Sequence, residues 1–296
     1  MLLALLAASC GKSSDGRIRL FAEHMTQGSG AKVLFNPANL DAAEWVAGET
    51  ININGNTCTI VGDAENGYSI DGSTVIGNTL YAIYPATIND DGVGNNILVT
   101  NGGSTGPCGV DIRVLAVNMH SDGRHDVCFP MAASAPASDA AMTFRHLTGG
   151  LKIHLTTNAA TEVYRLVISA TKADNSPAIY RDIAPSWAGS LMPSIPINHG
   201  DGEDQGIQFY KDILLRMSTD GTPGVTIPAG TTGITFCIPM LAQQLKSITV
   251  TGYGISDNEL FEKTKTLPTA KDIERNIMYT IPTIEVDYRK CKLYYH

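Results

Sequence analysis

Charge is scarce in this 296-residue chain: Asp, Glu, Lys and Arg make up 17% of it, against about a quarter in an average soluble domain. Twenty-one basic residues stand against 29 acidic ones, a net charge of −8. That balance excludes nucleic acid as a partner, because phosphates require a basic face, and no basic-aromatic cluster reverses it. Aromatic residues are few, and Trp45 and Trp187 are the only tryptophans, too few for an extended sugar-stacking platform. Helical periodicity is almost missing; residues 206–217 alone suit one short helix. No C-x-x-C, H-E-x-x-H, Walker or dinucleotide-binding pattern occurs, so zinc, nucleotide and redox-cofactor classes find no support. The reading is of a chain with no enzyme activity, no cofactor and no metal.

What is present begins at the first residue. An apolar run, Leu2 to Ala8, ends in small side chains and Cys10, followed by the polar stretch Gly11 to Asp15. The run is too short to span a bilayer and has the layout of a lipoprotein export signal: residues 1–10 form the signal with Cys10 as lipid attachment site, and 11–16 a polar tether. Six cysteines are present; with Cys10 lipidated, five remain and cannot all pair. Cys58 and Cys237 lie in strand-like runs and read as buried thiols.

From Arg17 onward, short β-branched runs alternate with Gly, Pro and Asn turns, the rhythm of β-sandwiches. Residues 17–22 and 32–35 read as strands, 49–61 as a hairpin, and 79–85, 96–100 and 110–117 as further strands. The small-residue stretch 130–139 reads as a linker. Beyond it, 142–156, 163–171, 233–239, 247–252 and 279–288 are strand-like. The expectation is an all-β chain of two tandem antiparallel β-sandwich domains, 17–135 and 136–296.

Three clusters invite chemistry. Gly102–Gly106 satisfies G-x-S-x-G around Ser104, but Pro107-Cys108-Gly109 follows, where a nucleophile elbow needs a helix; a Gly/Ser loop is the reading. His120, Asp122, His125 and Asp126 gather imidazoles and carboxylates, yet Asp122-Gly123 between strands is first a turn. Asn89–Gly92 and Asp201–Asp204 lack the spacing of a calcium loop. His146 and His154, eight apart, are expected on one face of one strand, as core-edge residues or cross-strand partners rather than ligands.

Four segments together carry a family resemblance. Trp45-Val46-Ala47-Gly48-Glu49-Thr50-Ile51 is similar to a W-x-x-G-D-x-I pattern, with Glu for Asp. Leu80 to Ala86 ends an aromatic strand in Y-P-A. Pro130-Met131-Ala132-Ala133 precedes Phe144-Arg145-His146-Leu147-Thr148-Gly149-Gly150-Leu151-Lys152-Ile153, and Ile273-Glu274-Arg275-Asn276-Ile277-Met278-Tyr279 precedes the terminal strand. In this order they resemble the fimbrillin family, the surface lipoproteins and pilus subunits of Bacteroides-type bacteria.

The resemblance implies two transthyretin-like β-sandwiches, an outer-membrane lipid anchor, and cell-surface fimbriae whose subunits join by strand exchange. In stalk members a trypsin-like protease cuts near the first strand, and a strand of the next subunit fills the groove. Arg17, Arg19 and Lys32 are the candidate cleavage points, or simply polar positions of a strand. Ile281, Ile284 and Val286 mark the candidate terminal donor strand, or merely complete the second domain. The residues after Tyr288 fit no part of the pattern. The alternative reading is a surface lipoprotein that does not polymerise and binds a glycan or host protein.

Overall fold

The structure, a computed structural model, describes residues 16–22, 26–27, 45, 47–54, 56–63, 65–71, 79–86, 96–100, 109–121, 123, 125–127, 129–139, 141–178, 212–240 and 243–288, with backbone alone for 26–27, 96–100 and 109–114. Every regular element among them is a β-strand. The first sheet holds eight strands in the order β4 (Asn56–Thr59), β3 (Thr50–Ile53), β7 (Thr79–Tyr84), β11 (Met131–Pro136), β12 (Ala141–His146), β1 (Arg17–Ala22), β6 (Gly67–Asp71) and β5 (Val61–Asp63). The second runs β10 (His125–Asp126), β9 (Gly109–Met119), β16 (Asp212–Thr219), β15 (Arg165–Thr171), β20 (Gln243–Tyr253) and β21 (Glu259–Ile273). Alongside, β8 (Asn96–Thr100) pairs with β9, and β17 (Thr222–Pro223) with β16. The third orders β19 (Gly230–Met240), β13 (Gly149–Thr157), β22 (Ile277–Thr280) and β2 (Thr26–Gln27), with β23 (Ile284–Val286) further along β13. β14 (Thr161–Val163) and β18 (Val225–Ile227) form a separate ribbon.

The expected all-β, sandwich-type architecture is therefore the one the chain adopts. Its origin is period-two alternation: β1, β15 and β16 each bury every second side chain, so each strand contributes one apolar row to an interior. Most of the buried apolar residues form one connected cluster drawing on all three large sheets, from Ile18 and Phe144 through Leu115 and Ile168 to Leu151 and Phe236, and Phe129, Cys237 and Met278 form a small second one. Most ladders are antiparallel. The pairs β1–β12, β2–β22, β9–β16, β13–β22 and β13–β23 are parallel, and all join strands that no tight turn could connect.

The hairpin expected at 49–61 is present, with Ile51 opposite Cys58 and Ile53 opposite Asn56. Asn54 holds its turn in a left-handed conformation (φ 48°), and its side chain pairs like an extra strand residue. Its Oδ1 accepts the Tyr81 N–H and its Nδ2 donates to the Thr79 carbonyl, both at 2.9 Å. Cys58 and Cys237 are buried, as expected.

Three expectations are corrected. The stretch 130–139 is no linker: Met131–Pro136 is β11, interior to the first sheet between β7 and β12. Its alanines are small because strands and core close around them, with Ala132 and Ala133 both buried. No helix covers 212–217; this part is β16, in which Ile213, Leu215 and Met217 are buried at period two. His146 and His154 do not share a strand, because Leu147-Thr148 separates β12 from β13. His146 is buried, while His154 is half-buried and meets its cross-strand neighbour Thr235 at 2.8 Å. Strand pairing also runs across residue 135: β12 stays in the first sheet, whereas β9 joins the second.

Candidate functional site

β1 is the first described strand and an interior one. It runs antiparallel to β6 (Arg17 opposite Asp71, Ile18 opposite Ile70, Arg19 opposite Ser69, Leu20 opposite Tyr68). On its other side it runs parallel to β12 (Arg19 beside Ala141, Leu20 beside Met142, Phe21 beside Thr143, Ala22 beside Phe144). Ile18 and Leu20 point into the core; Arg17, Arg19 and Phe21 face out, Phe21 at 50% exposure. Lifting β1 out would leave a slot with unpaired backbone on both walls and a floor of Ile70, Met142 and Phe144, all now essentially inaccessible to solvent. Such a slot is costly to leave empty and is satisfied by any strand of matching pattern.

The sequence signatures converge on structural roles around this strand. Trp45 packs edge-on against Tyr84 and Phe144, with ring centroids 5.2 and 5.0 Å apart. Three separate signatures thus meet in one aromatic knot under the slot, and Trp45, buried at 5% exposure, is no sugar platform. The fourth signature forms a clasp with the third where the chain passes from β12 to β13. Arg275 Nη1 donates to the His146 carbonyl at 2.9 Å, and the Asn276 N–H donates to the Thr148 carbonyl at 3.0 Å. Asn276 adopts φ 62°, and Gly149 and Gly150 leave no room for a Cβ.

The structure separates the candidate sites. Arg17 and Arg19 lie inside β1, so a cut after either leaves Leu20–Ala22 in place. Lys32 and Cys10 lie outside the described residues, as do Ser104, Asp122, Trp187, the strand expected at 32–35 and both acidic loops. Residues 33–112 contain neither Lys nor Arg, which isolates Lys32 as the last basic residue before most of the first sheet. Ile281, Ile284 and Val286 are buried in this chain's own core; Ile284 pairs with Leu155 of β13, and the Ile281 N–H donates to the Lys152 carbonyl at 2.9 Å. Sequence reasoning missed Asp71, because the polar segment Gly67–Asp71 carries too few β-branched residues to announce a strand. It missed β2 as well, two residues that cap the outer edge of β22.

The two imidazoles of the 120–126 turn point apart. His120 lies between carboxylates on opposite sides, its Nε2 2.6 Å from Asp126 and its Nδ1 3.4 Å from Asp220. His125 turns inward at 6% exposure, where its Nε2 accepts the Cys237 N–H at 2.9 Å. Cys237 belongs to β19, the edge strand of the third sheet, so His125 caps an edge donor of that sheet from a strand of the second. Among the described residues, no group of three or more His, Cys, Asp or Glu could hold a metal ion. Burial pushes the Cys237 thiol up to about 12, which makes it inert as a nucleophile.

Burial also pushes His125 down from 6.5 to about 4; the Asp126 carboxylate opposes the shift, and Lys152 and His120 add to it. The unfolded chain protonates this imidazole at about 6.5, so between that value and about 4 it holds more protons than the folded one. Stability should therefore fall as pH drops through that window, by about 3 kcal/mol from this residue. Urea midpoints measured at pH 7 and pH 4 should show the loss, and His125→Gln should flatten this part of the pH dependence. An unchanged slope in the variant would refute the assignment.

No protein-family model matches the chain, and no curated protein matches it. Among solved structures, it is similar to a proposed cell adhesion protein from Bacteroides ovatus, at 13% identity over 93% of this chain and 95% of that one, with a TM-score of 0.45. A second proposed cell adhesion protein, from Bacteroides uniformis, gives 17% identity, 93% and 98% coverage and a TM-score of 0.38. The major pilin T3.2 of Streptococcus pyogenes gives 8% identity, 94% and 99% coverage and a TM-score of 0.19.

Proposed function

We propose that this chain is a subunit or accessory component of a fimbria-like surface assembly, exported as a lipoprotein and joined to its neighbours through the β1 slot. The observation that carries the reading is the interior position of β1. A first strand with one parallel and one antiparallel neighbour, and its two aliphatic side chains in the core, is a built-in plug whose removal demands a substitute. Burial of Ile18 and Leu20 is worth about 3–6 kcal/mol by apolar transfer, so a chain without β1 is driven to accept another strand. Head-to-tail acceptance does not close, and a filament follows.

Cleavage after Lys32 releases β1 and β2 together, which cuts after Arg17 or Arg19 cannot do. The basic-free stretch that follows protects the strands between residues 33 and 112 from the same protease. The lipid on Cys10 leaves with the released segment, so in a stalk subunit the outer-membrane anchor is temporary; an accessory component keeps both.

Limited trypsin treatment of the full chain, followed by unheated denaturing electrophoresis, tests this. Cleavage after Lys32 should convert monomer into a ladder, and Lys32→Ala should abolish the ladder while Arg17→Ala/Arg19→Ala leaves it. A correctly cut chain that stays monomeric counts against strand exchange.

A further inference from the structure

The outer face of the second sheet carries a charge conflict that the fold resolves only in part. Arg165 of β15 and Arg216 of β16 stand directly opposite each other. The Met217 N–H donates to the Tyr164 carbonyl at 3.0 Å, which marks the two arginines as a non-hydrogen-bonded pair, the kind whose Cα atoms lie about 4.5 Å apart. Their neighbours Leu166, Leu215 and Met217 are buried, so both arginine side chains leave the sheet on the opposite, outward face. Like charges so placed are destabilising. Arg165 is compensated by its own loop: its Nη1 lies 3.2 Å from Asp257, and its Cζ sits 4.2 Å over the Tyr253 ring. Its buried Nε has no partner among the described residues. Arg216 makes no ion pair or hydrogen bond with any described residue.

Two cations held together on a chain of net charge −8 call for an anion between them. β15, β16 and β20 are interior strands, so this face offers side chains and no unpaired backbone, and a peptide cannot add to it as a strand. Beside the arginines, Val167 stands opposite Leu214, and beyond it Ser169 stands opposite Thr249, all four half-buried. At about 3.3 Å per residue the strip from Arg165 to Ser169 is about 13 Å long. Thr249 Oγ1 is fixed 2.8 Å from Thr264 Oγ1 and keeps hydrogen-bonding capacity for a ligand hydroxyl. We propose that Arg165 and Arg216 seat the carboxylate of an acidic sugar, a sialic or uronic acid, and that the rest of a short saccharide lies along Val167 and Ser169. The planar guanidinium fork matches a carboxylate, the Val167–Leu214 pair the C–H face of a sugar ring, and the hydroxyls its hydroxyls. Asp212, on the other flank of Ser169, repels a second carboxylate there, so the ligand carries one acid and is no polyanion. The site is independent of the β1 slot and is complete in the uncut chain.

Titration calorimetry of the full chain tests this with sialyllactose and with aldotriouronic acid, each a short saccharide with a single carboxylate, beside lactose and xylotriose as neutral controls. At least one acid should bind, and which one does identifies the source. It should bind about tenfold or more tighter than its neutral control, and Arg216→Gln should lose about tenfold. Arg216→Lys, a point charge without the fork, should recover no more than about a third of that loss. Asp257→Asn frees Nη1 of Arg165 and should tighten binding about twofold. Without ligand, Arg216→Gln should raise the thermal midpoint by roughly 1–2 °C at low salt, because it removes a repulsion; a purely structural arginine would not combine firmer folding with lost binding. Binding of neither acid, equal binding of a neutral control, unaltered binding by Arg216→Gln, or a midpoint that falls in that variant overturns the site. Hexaglutamate bound as tightly as either saccharide overturns it too, by assigning the arginine pair to an acidic protein partner.

Discussion

Phe144→Ala should lower the free energy of unfolding by about 4 kcal/mol. Phe144 is fully buried, touches Trp45 edge-on and lies beside Ala22 of the plug strand. Truncation removes an aromatic ring's worth of transfer energy and leaves a cavity that two interior strands, β12 and β1, cannot collapse into without breaking their ladder. Against total stabilities of about 5–15 kcal/mol, the loss is large, and a midpoint drop of roughly 10 °C is expected. Phe144→Leu should cost less than half as much, since most of the volume is kept. Thermal and urea unfolding of the three proteins decides it; a loss below about 1.5 kcal/mol for the alanine variant would mean that the aromatic knot is not the anchor of the first sheet. The same variant should loosen β1, so cleavage after Arg19, now inside a paired strand, should become faster.

The second large effect is expected at Gly149→Ala. A Cβ built there meets the Glu274 carbonyl at 2.3 Å, Ile273 Cγ2 at 3.0 Å and the Ile277 carbonyl at 3.1 Å. Two of these atoms are backbone, held by the turn whose Asn276 N–H bonds the Thr148 carbonyl. Neither can move without opening the clasp, so about 3 kcal/mol should be lost. Gly150→Ala is the informative comparison. There the obstructing atoms are Met278 Cε and Sδ, at 2.5 and 2.7 Å, the far end of a flexible side chain that can swing aside. Denaturant midpoints should rank wild type above Gly150→Ala and Gly150→Ala above Gly149→Ala. The reverse order would show that side-chain packing, not backbone approach, makes this glycine pair necessary.

Much of the fold was legible where one face of a strand is buried. The segments around Arg17, Thr50, Thr79, Leu151 and Arg165 alternate clearly, and each is a strand. Legibility failed where both faces or neither are covered. β11 is an alanine strand closed in on both sides, so it carries no alternation and little bulk. β21 is the opposite case, an exposed edge carrying Glu262, Lys263, Lys265 and Lys271, whose charges and Pro268 discourage pairing by other chains and hide the strand in the sequence. β16 placed Leu214 and Leu215 side by side, which imitates helical spacing. At the candidate site, the alternation of β1 and its two arginines was readable, but its neighbours were not. Parallel pairing with β12 joins residues more than a hundred positions apart, and no local pattern specifies such a partner. The family-like signatures were readable as motifs; that they meet as an aromatic knot and a clasp, and not as a reactive centre, required coordinates.

The placement of β1 has a mechanical consequence. If the chain is held by a lipid on Cys10, as proposed above, a load on its far end pulls at the Arg17 end of β1, along the axis of a strand bonded on both sides. Force along that axis shears the bonds to β6 and β12 together, whereas an edge strand peeled sideways would give way one bond at a time. On the proposed assembly route, the strand that would have to leave is thus placed to resist being torn out by pulling, and a cut peptide bond would release what tension on the tether does not.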